Sequence, residues 1–224
     1  MTPPAHGAAP TLPDPLTFDA VLFDVDGTLV DSEPIWFRVL RAVIPEFGGH
    51  LPVDAHAALH GNDRPATTRI LRERFGLTGN AEAFWQRVVE RLVLDLADVR
   101  PMPNAGLWVE TVAAAGLGRA AVSNSPRAMV EASLAPQAWA RELIVRVAIE
   151  DVPRGKPHPD GYLLAAARLG VAPARCLAVE DSEAGARAAV AAGATCLFVT
   201  NGVVDAERAR GITPYVVDAL PALG

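Results

Sequence analysis

Short apolar runs that end abruptly in polar residues constrain this chain most. Ala20-Val21-Leu22-Phe23 breaks off into Asp24-Val25-Asp26-Gly27-Thr28-Leu29-Val30-Asp31-Ser32. Arg119-Ala120-Ala121-Val122 ends in Ser123-Asn124-Ser125, and the run from Leu143 to Ile149 leads to the loop Lys156-Pro157-His158-Pro159-Asp160. Arg175 to Val179 ends in Glu180-Asp181-Ser182, and Thr195 to Val199 is a further run. Runs this short, closed by turn residues, read as strands buried on both faces. Helical patterns lie between them. Asn104 to Ala115 reads as a helix with Gly116 past its end, Asp160 as the cap of one ending at Gly170, and Ser182 as the cap of one ending at Gly193. Strands separated by helices pair in parallel, which predicts an α/β fold, a three-layer doubly wound parallel sheet.

One segment breaks the alternation. From Pro34 to about Arg100 the pattern is helical and free of strands. Trp36 to Ile44 repeats apolar residues at helical spacing until Pro45 stops it. Pro65 suits the first turn of a helix running to Phe75, and Asn80 caps a third helix from Ala81 to about Ala97. An all-helical insert between the first strand and the rest of the sheet reads as a cap over the strand ends. The expected organisation is a disordered tail over residues 1–16, a core of 17–33 and 102–224, and a helical cap over 34–101.

At 224 residues the chain suits one good-sized domain, or a core with one inserted subdomain, and 50% hydrophobic residues suffice for a substantial interior. A net charge of −6 without a Lys/Arg block argues against nucleic acid and anionic membrane as main partners. No apolar stretch approaches the length of a membrane span. Met1 to Leu16 is rich in Pro and Ala and has neither the basic start nor the apolar stretch of a secretory signal. Cys176 and Cys196 fall in neighbouring predicted strands and are expected to be buried free thiols, in keeping with a reducing cytoplasm.

Open parallel sheets gather their sites at the C-terminal ends of strands. Those ends here carry, in order, an acid pair (Asp24, Asp26), a hydroxyl (Ser123), an amine (Lys156) and a second acid pair (Glu180, Asp181). Two acids two residues apart can divide a displacement between a nucleophile and a proton donor.

This order of four motifs resembles the haloacid dehalogenase superfamily of phosphohydrolases, and within it the branch holding β-phosphoglucomutase and the small sugar-phosphate phosphatases. The resemblance runs from about Phe18 to the C-terminus. It implies a phosphatase that uses Mg²⁺ and acts on a small phosphorylated metabolite, a sugar or polyol phosphate first of all. A phosphate monoester is a dianion. Two unit charges ~4 Å apart repel by about 4 kcal/mol at an effective dielectric of roughly 20, so a carboxylate nucleophile needs that charge neutralised. A divalent cation and a lysine meet the need. Asp24 and Asp181, on different strand ends, can supply carboxylates to Mg²⁺. By resemblance the backbone carbonyl of Asp26 completes the protein ligands, with Glu180 bound directly or through water. The implied reaction has two steps. Asp24 attacks phosphorus in line while Asp26 protonates the leaving oxygen, and Asp26 then deprotonates the water that hydrolyses the aspartyl-phosphate. Ser123 and the backbone N–H of Asn124 would hold the phosphoryl oxygens, and Lys156 would offset their charge. Ser125 fits as the N-cap of the helix opening at Pro126, Thr28 as a brace of the turn near Asp24, and His158 as loop filler.

Specificity is expected from the cap. In the mutase of this branch a Gly followed three residues later by Arg binds a distal phosphate, and Gly61 and Arg64 match that spacing. Two departures stand out. The mutase carries a cap-side His twelve residues after its nucleophile, where this chain has Trp36, and the Pro-x-Pro-Gly common after the cap reads Pro101-Met102-Pro103-Asn104. A phosphosugar mutase of the β-phosphoglucomutase type is the alternative within the fold. A phospho-receiver signalling domain is a distant one, since receivers place their extra acid pair near the start of the sheet and lack a helical insert. The superfamily's dehalogenases lack an acid at the position of Asp26, because chloride leaves without a proton. A cytoplasmic monomer or weak dimer is expected.

Overall fold

The computed structural model describes residues 11–59 and 64–223. Its strands in chain order are β1 (Ala20–Phe23), β2 (Val30–Asp31), β3 (Arg100–Pro101), β4 (Gly118–Val122), β5 (Val145–Val147), β6 (Cys176–Glu180), β7 (Thr195–Val199) and β8 (Tyr215–Val217). The helices are α1 (Glu33–Val43), α2 (His56–Leu59), α3 (Arg64–Phe75), α4 (Ala81–Asp95), α5 (Ala105–Ala114), α6 (Arg127–Leu134), α7 (Asp160–Leu169), α8 (Glu183–Ala191) and α9 (Ala206–Arg210). Successive residues of a strand face opposite sides. Ala20 and Leu22 of β1 therefore join one hydrophobic cluster with α7 and α8, while Val21 and Phe23 join another with α5 and α6. That is the three-layer arrangement. The sheet is six-stranded and parallel throughout, in the order β5-β4-β1-β6-β7-β8.

In the middle of the sheet, Leu22 sits opposite Ala120 of β4 on one side and Ala178 of β6 on the other. Small residues dominate the α7/α8 face, so those helices approach closely; Ala165, Ala166, Ala186 and Ala189 are buried there. The opposite face carries the bulk, with Trp108 of α5 buried and its indole N–H donating to the Pro221 carbonyl at 2.8 Å. Cys176 and Cys196 are buried free thiols, as expected. Among the described residues no helix is long and apolar enough to cross a membrane.

Among the described residues the insert's helices are α1 to α4, and its two connections to the core pair with each other. β2 and β3 form a two-stranded antiparallel ribbon, Val30 opposite Pro101 and Asp31 opposite Arg100, and the Met102 N–H donates to the Leu29 carbonyl at 3.0 Å. α1 packs on α4, and α4 packs on α6, the helix that follows β4. Phe84 meets Phe47 edge to face at 5.4 Å between centroids. Leu40, Phe84 and Leu92 belong to the same cluster as the α5/α6 face of the sheet, so apolar burial is continuous from core to insert. Asn80 caps α4 as predicted, accepting from the N–H groups of Glu82 and Ala83.

Several local expectations change. β5 is shorter than the run from Leu143 to Ile149, because Leu143 closes a 3₁₀ turn and Ile149 opens another. α5 begins at Ala105, not Asn104, whose φ is +61° and whose amide donates to the Leu220 carbonyl at 2.7 Å, tying down the C-terminal segment. Asp160 is the first helical residue of α7 rather than its cap, and its carboxylate holds Arg154 at 2.9 and 3.1 Å. β8 had no strong signal in the sequence, and Arg175 precedes β6 while Glu180 belongs to it. Residues 1–10 of the predicted tail lie outside the described residues; within the rest, Asp14 caps a short 3₁₀ turn at Pro15–Thr17.

Candidate active site

The turn after β1 is the scaffold of the site. The Asp24 N–H donates to the Val179 carbonyl at 2.9 Å, extending the ladder one residue past the strand. The chain then folds back, with Gly27 N–H on the Val30 carbonyl at 2.8 Å and Val30 N–H on the Val25 carbonyl at 3.0 Å. Gly27 makes this possible, since its φ is +83° and a Cβ there would collide with the Asp181 carboxylate. Asn201 pins the turn from the other side by donating to the Gly27 carbonyl at 2.7 Å. The Thr28 hydroxyl donates to Asp181 at 3.4 Å, tying the turn to the second acid pair.

Behind that turn lies a buried charge cluster. The Lys156 ammonium ion-pairs with Asp24, with Glu180 at 2.6 Å, and donates to the Val122 carbonyl at 2.8 Å. Glu180 is fully buried. It also accepts from the Tyr162 hydroxyl at 2.5 Å and the Ser182 hydroxyl at 3.1 Å. Burial pushes the Asp24 carboxyl up to about 8 against the pull of Lys156, and the charges of Glu180 and Asp26 add to the rise. Burial and then the Asp24 and Glu180 charges hold Asp181 well above the usual carboxylate range. For Lys156 burial favours the neutral amine, but Asp24 and Glu180 outweigh it and keep the proton on. Carboxylate oxygens of Asp24, Glu180 and Asp181 come within 4.8 Å of one another. Three acids beside one ammonium can all ionise together only with further positive charge, which a divalent cation would supply. An all-oxygen donor set suits a hard cation.

Asp26 points the other way, into a ring of hydroxyls. One of its oxygens accepts from Ser32 at 2.7 Å, the other from Ser125 at 2.8 Å and Ser123 at 3.3 Å. Ser125 therefore does not cap α6. Its own N–H donates to the Ser123 hydroxyl at 2.9 Å, and the first free N–H of the helix, at Arg127, is taken by the Glu150 carboxylate at 3.0 and 3.1 Å. Asn124 has a role the sequence did not reveal. Its amide brackets the backbone of Lys156, accepting from the N–H at 2.8 Å and donating to the carbonyl at 3.1 Å. That pair of bonds fixes the loop that carries the lysine. His158 is exposed, and its N–H closes a turn on the Gly155 carbonyl at 3.0 Å.

Asp26, Ser32, Ser125 and Asp181 open onto a cleft of about 300 Å³ whose far wall is Trp36 and Leu92 of the insert. A second lobe of about 240 Å³ shares Trp36, Leu92, Ser125 and Met129 and adds Arg64, Thr67 and Trp85. The Arg64 guanidinium lies over the Trp85 ring, 5.1 Å from its centroid, and meets Glu82 at 3.5 Å. Thr67 is buried, and its hydroxyl has no hydrogen-bond partner among the described residues. Gly61 lies outside the described residues. The structure thus brings Asp24, Asp26, Ser123, Lys156, Glu180 and Asp181 together at the strand ends, with Trp36 facing them and Arg64 one lobe further out. Ser32, Ser125 and Tyr162 are the neighbours that sequence reading missed. Ser32 closes the very motif that opens at Asp24, six residues after Asp26, and that was the available signal.

The haloacid dehalogenase-like hydrolase family matches residues 18–193. The chain belongs to that family. Among curated proteins it is 35% identical over 202 residues to hexitol phosphatase A of Escherichia coli (strain K12), covering 84% of this chain and 85% of that one. It is 33% identical over 181 residues to the fructose-1-phosphate phosphatase YqaB of the same strain, covering 79% and 93% respectively. Among solved structures, a mutant of CbbY from Rhodobacter sphaeroides in complex with xylulose-(1,5)bisphosphate superposes with a TM-score of 0.78 at 25% identity, over 90% of this chain and 94% of that one.

Proposed function

We propose that this member of the hydrolase family is a Mg²⁺-dependent phosphatase that cleaves a small phosphorylated metabolite through an aspartyl-phosphate on Asp24. One observation carries the reading: Asp24 is buried against Lys156 and the Glu180–Asp181 pair, while Asp26, two residues on, faces an open cleft. Asp24 and Asp181 would hold the cation with the backbone carbonyl of Asp26. When bound, Mg²⁺ supplies positive charge to the phosphoryl oxygens. Lys156 supplies a second positive charge. Asp24 attacks phosphorus and the ester oxygen departs with a proton from Asp26. The hydroxyls of Ser32, Ser123 and Ser125 suit that task, because each can donate to the carboxylate or accept from the acid. The same Asp26 then takes a proton from the hydrolytic water. Ser123 and the backbone of Asn124 would steady the phosphoryl oxygens.

Sugar and polyol phosphates are the substrate class favoured by the relatives named above, and Trp36 offers an apolar sugar face a flat wall. Trp36, Arg64 and Gly61 would select among them. Residues 34–101 would act as the lid, and the reaction would take place in the cytoplasm on a diffusible ester. The test is phosphate release from a panel of phosphorylated metabolites by purified protein, with Mg²⁺ and after chelation. Release of phosphate from at least one sugar or polyol phosphate, lost on chelation and restored by Mg²⁺, is the expected result. Full activity after exhaustive chelation would rule the metal site out.

A further inference from the structure

Lys156 is the centre of the buried cluster, and its ammonium has three N–H groups. Each has an acceptor: Asp24, Glu180 at 2.6 Å and the Val122 carbonyl at 2.8 Å. Two of those acceptors only hold the lysine; the third, Asp24, is where a phosphoryl group would arrive. The direction of that third N–H depends on how firmly the other two are fixed. Val122 is fixed as strand backbone. Glu180 is a side chain, and something must fix it.

Tyr162 is in position to do so. It is buried on α7, its hydroxyl donates to the Glu180 oxygen that also receives Lys156, and its ring lies 5.4 Å from the ammonium. The second Glu180 oxygen takes the Ser182 hydroxyl at 3.1 Å and faces Ser182 N–H at 3.4 Å. Behind the carboxylate stands Gly185, where a Cβ would collide with it. Glu180 is thus enclosed, and both its oxygens are engaged by protein donors. A buried carboxylate is held by its complete donor set, and loss of one strong donor leaves it under-satisfied.

We propose that Tyr162 is a positioning residue: its hydroxyl clamps Glu180 as the fixed counter-charge of Lys156, which aims the lysine at the phosphoryl site and leaves Glu180 to reach the cation only through water. This rests on the reading of Asp24 as nucleophile and Asp181 as metal ligand. It assigns the two members of the acid pair different work. Asp181 binds the metal, and Glu180 holds the lysine.

The test uses Tyr162→Phe, which keeps the ring and removes the hydroxyl, beside Glu180→Gln and Asp181→Asn. Outer-sphere partners typically cost about 10–100-fold when removed, so kcat of Tyr162→Phe should fall by about that factor. Calorimetry on the metal-free proteins gives the decisive readout. Tyr162→Phe should bind Mg²⁺ within about threefold of wild type and Glu180→Gln more weakly but still measurably, since it removes a charge beside the site, yet both should bind inorganic phosphate in the presence of Mg²⁺ about tenfold or more weakly. Asp181→Asn should lose Mg²⁺ binding itself. A merely structural Tyr162 would lower the melting temperature and leave phosphate affinity and kcat of the folded protein unchanged, and that result overturns the proposal. So does a Glu180→Gln protein that loses Mg²⁺ as completely as Asp181→Asn, and this arm stands even if Tyr162→Phe fails to fold. A wild-type protein that neither binds Mg²⁺ nor releases phosphate would instead count against the proposed function.

Discussion

Asp24 and Asp26 are separated by one residue, yet their surroundings differ in kind. Asp24 is buried among charges, and Asp26 sits among three hydroxyls at the edge of a cleft. That difference suits one carboxylate to attack and the other to shuttle a proton. Asp24→Asn should therefore lose about 10⁴-fold or more in turnover, since a nucleophile acts as one unit with its partners. Asp26→Asn should lose roughly 10²–10⁴-fold on sugar phosphates, the range for general acid–base help. An activated aryl phosphate needs little protonation, so steady-state assays on both ester types should show Asp26→Asn less impaired on the aryl ester. Equal losses on both would remove Asp26 from the role of acid. At this scale the sequence was informative about the charged residues and poor about the hydroxyls. Asp24 and Asp181 declare themselves because each follows a strand, and Lys156 because it sits in the loop after one. Ser125 read as a helix cap because capping is local, whereas its actual partner, Asp26, is 99 positions away.

Among the elements, α6 has its start set from outside. Glu150, in the turn that leads to the Lys156 loop, takes the Arg127 N–H, and the next residue, Asp151, pairs with Arg127 and accepts from the Ala148 N–H at 2.9 Å. A cap supplied by a distant segment satisfies the same orphan donor as a local one, so Glu150→Ala should cost about 1 kcal/mol in urea unfolding. It should also loosen the loop behind Lys156 and lower kcat, because the same turn leads into the segment that Asn124 brackets. For Asp151 burial alone would raise the carboxyl, but the Ala148 N–H and the Arg127 guanidinium hold it below its ordinary value. A depressed acid adds stability above its ordinary value and loses it as pH falls through the folded value. Melting temperatures of wild type and Asp151→Asn should therefore differ at neutral pH and converge as acidification carries the solution below the folded value. A gap that persists at acid pH would show that packing, not charge, is responsible. The strands and long helices were legible from apolar runs and from Asn80 and Pro65. β2, β3 and β8 were not, because each is only two or three residues long and its pairing is a tertiary fact; β3 begins at Arg100, where the pattern reads as free of strands.

For the molecule as a whole, the question is how the insert meets the sheet. The ribbon of β2 and β3 makes its two connections one unit, and α4 rests on α6 beside the cleft. That geometry suits residues 34–101 to a rocking motion about the ribbon, which would exclude water during attack and admit it for hydrolysis. Hydrogen exchange with Mg²⁺ and a phosphate mimic bound should protect α1 and α4 near the cleft and leave β4 and β6 unchanged; no protection in either helix would argue against closure.

The same face of the insert decides between hydrolysis and phosphoryl transfer between two positions of a sugar. A mutase must deny water to its phospho-enzyme until the intermediate has turned round, and the mutase that this chain resembles uses a cap-side His for the coupling. Here Trp36 lines both lobes of the cleft. Its indole N–H donates and cannot take a proton, so it cannot relay one between substrate and Asp26. It can wall the cleft and stack on a sugar, which orders the substrate without protecting the phospho-enzyme. Purified protein given a sugar monophosphate should therefore release free phosphate and need no bisphosphate activator. Trp36→Ala should raise KM and blur the choice among sugar phosphates, with phosphate still the product. Trp36→His alone should not convert the enzyme, because the far lobe with Arg64 and Thr67 would be unaltered. Product analysis by phosphorus NMR separates the cases directly. Rapid interchange of sugar 1- and 6-phosphates by the wild-type protein, with little phosphate set free, would make Trp36 irrelevant to the outcome and assign this chain to the mutases.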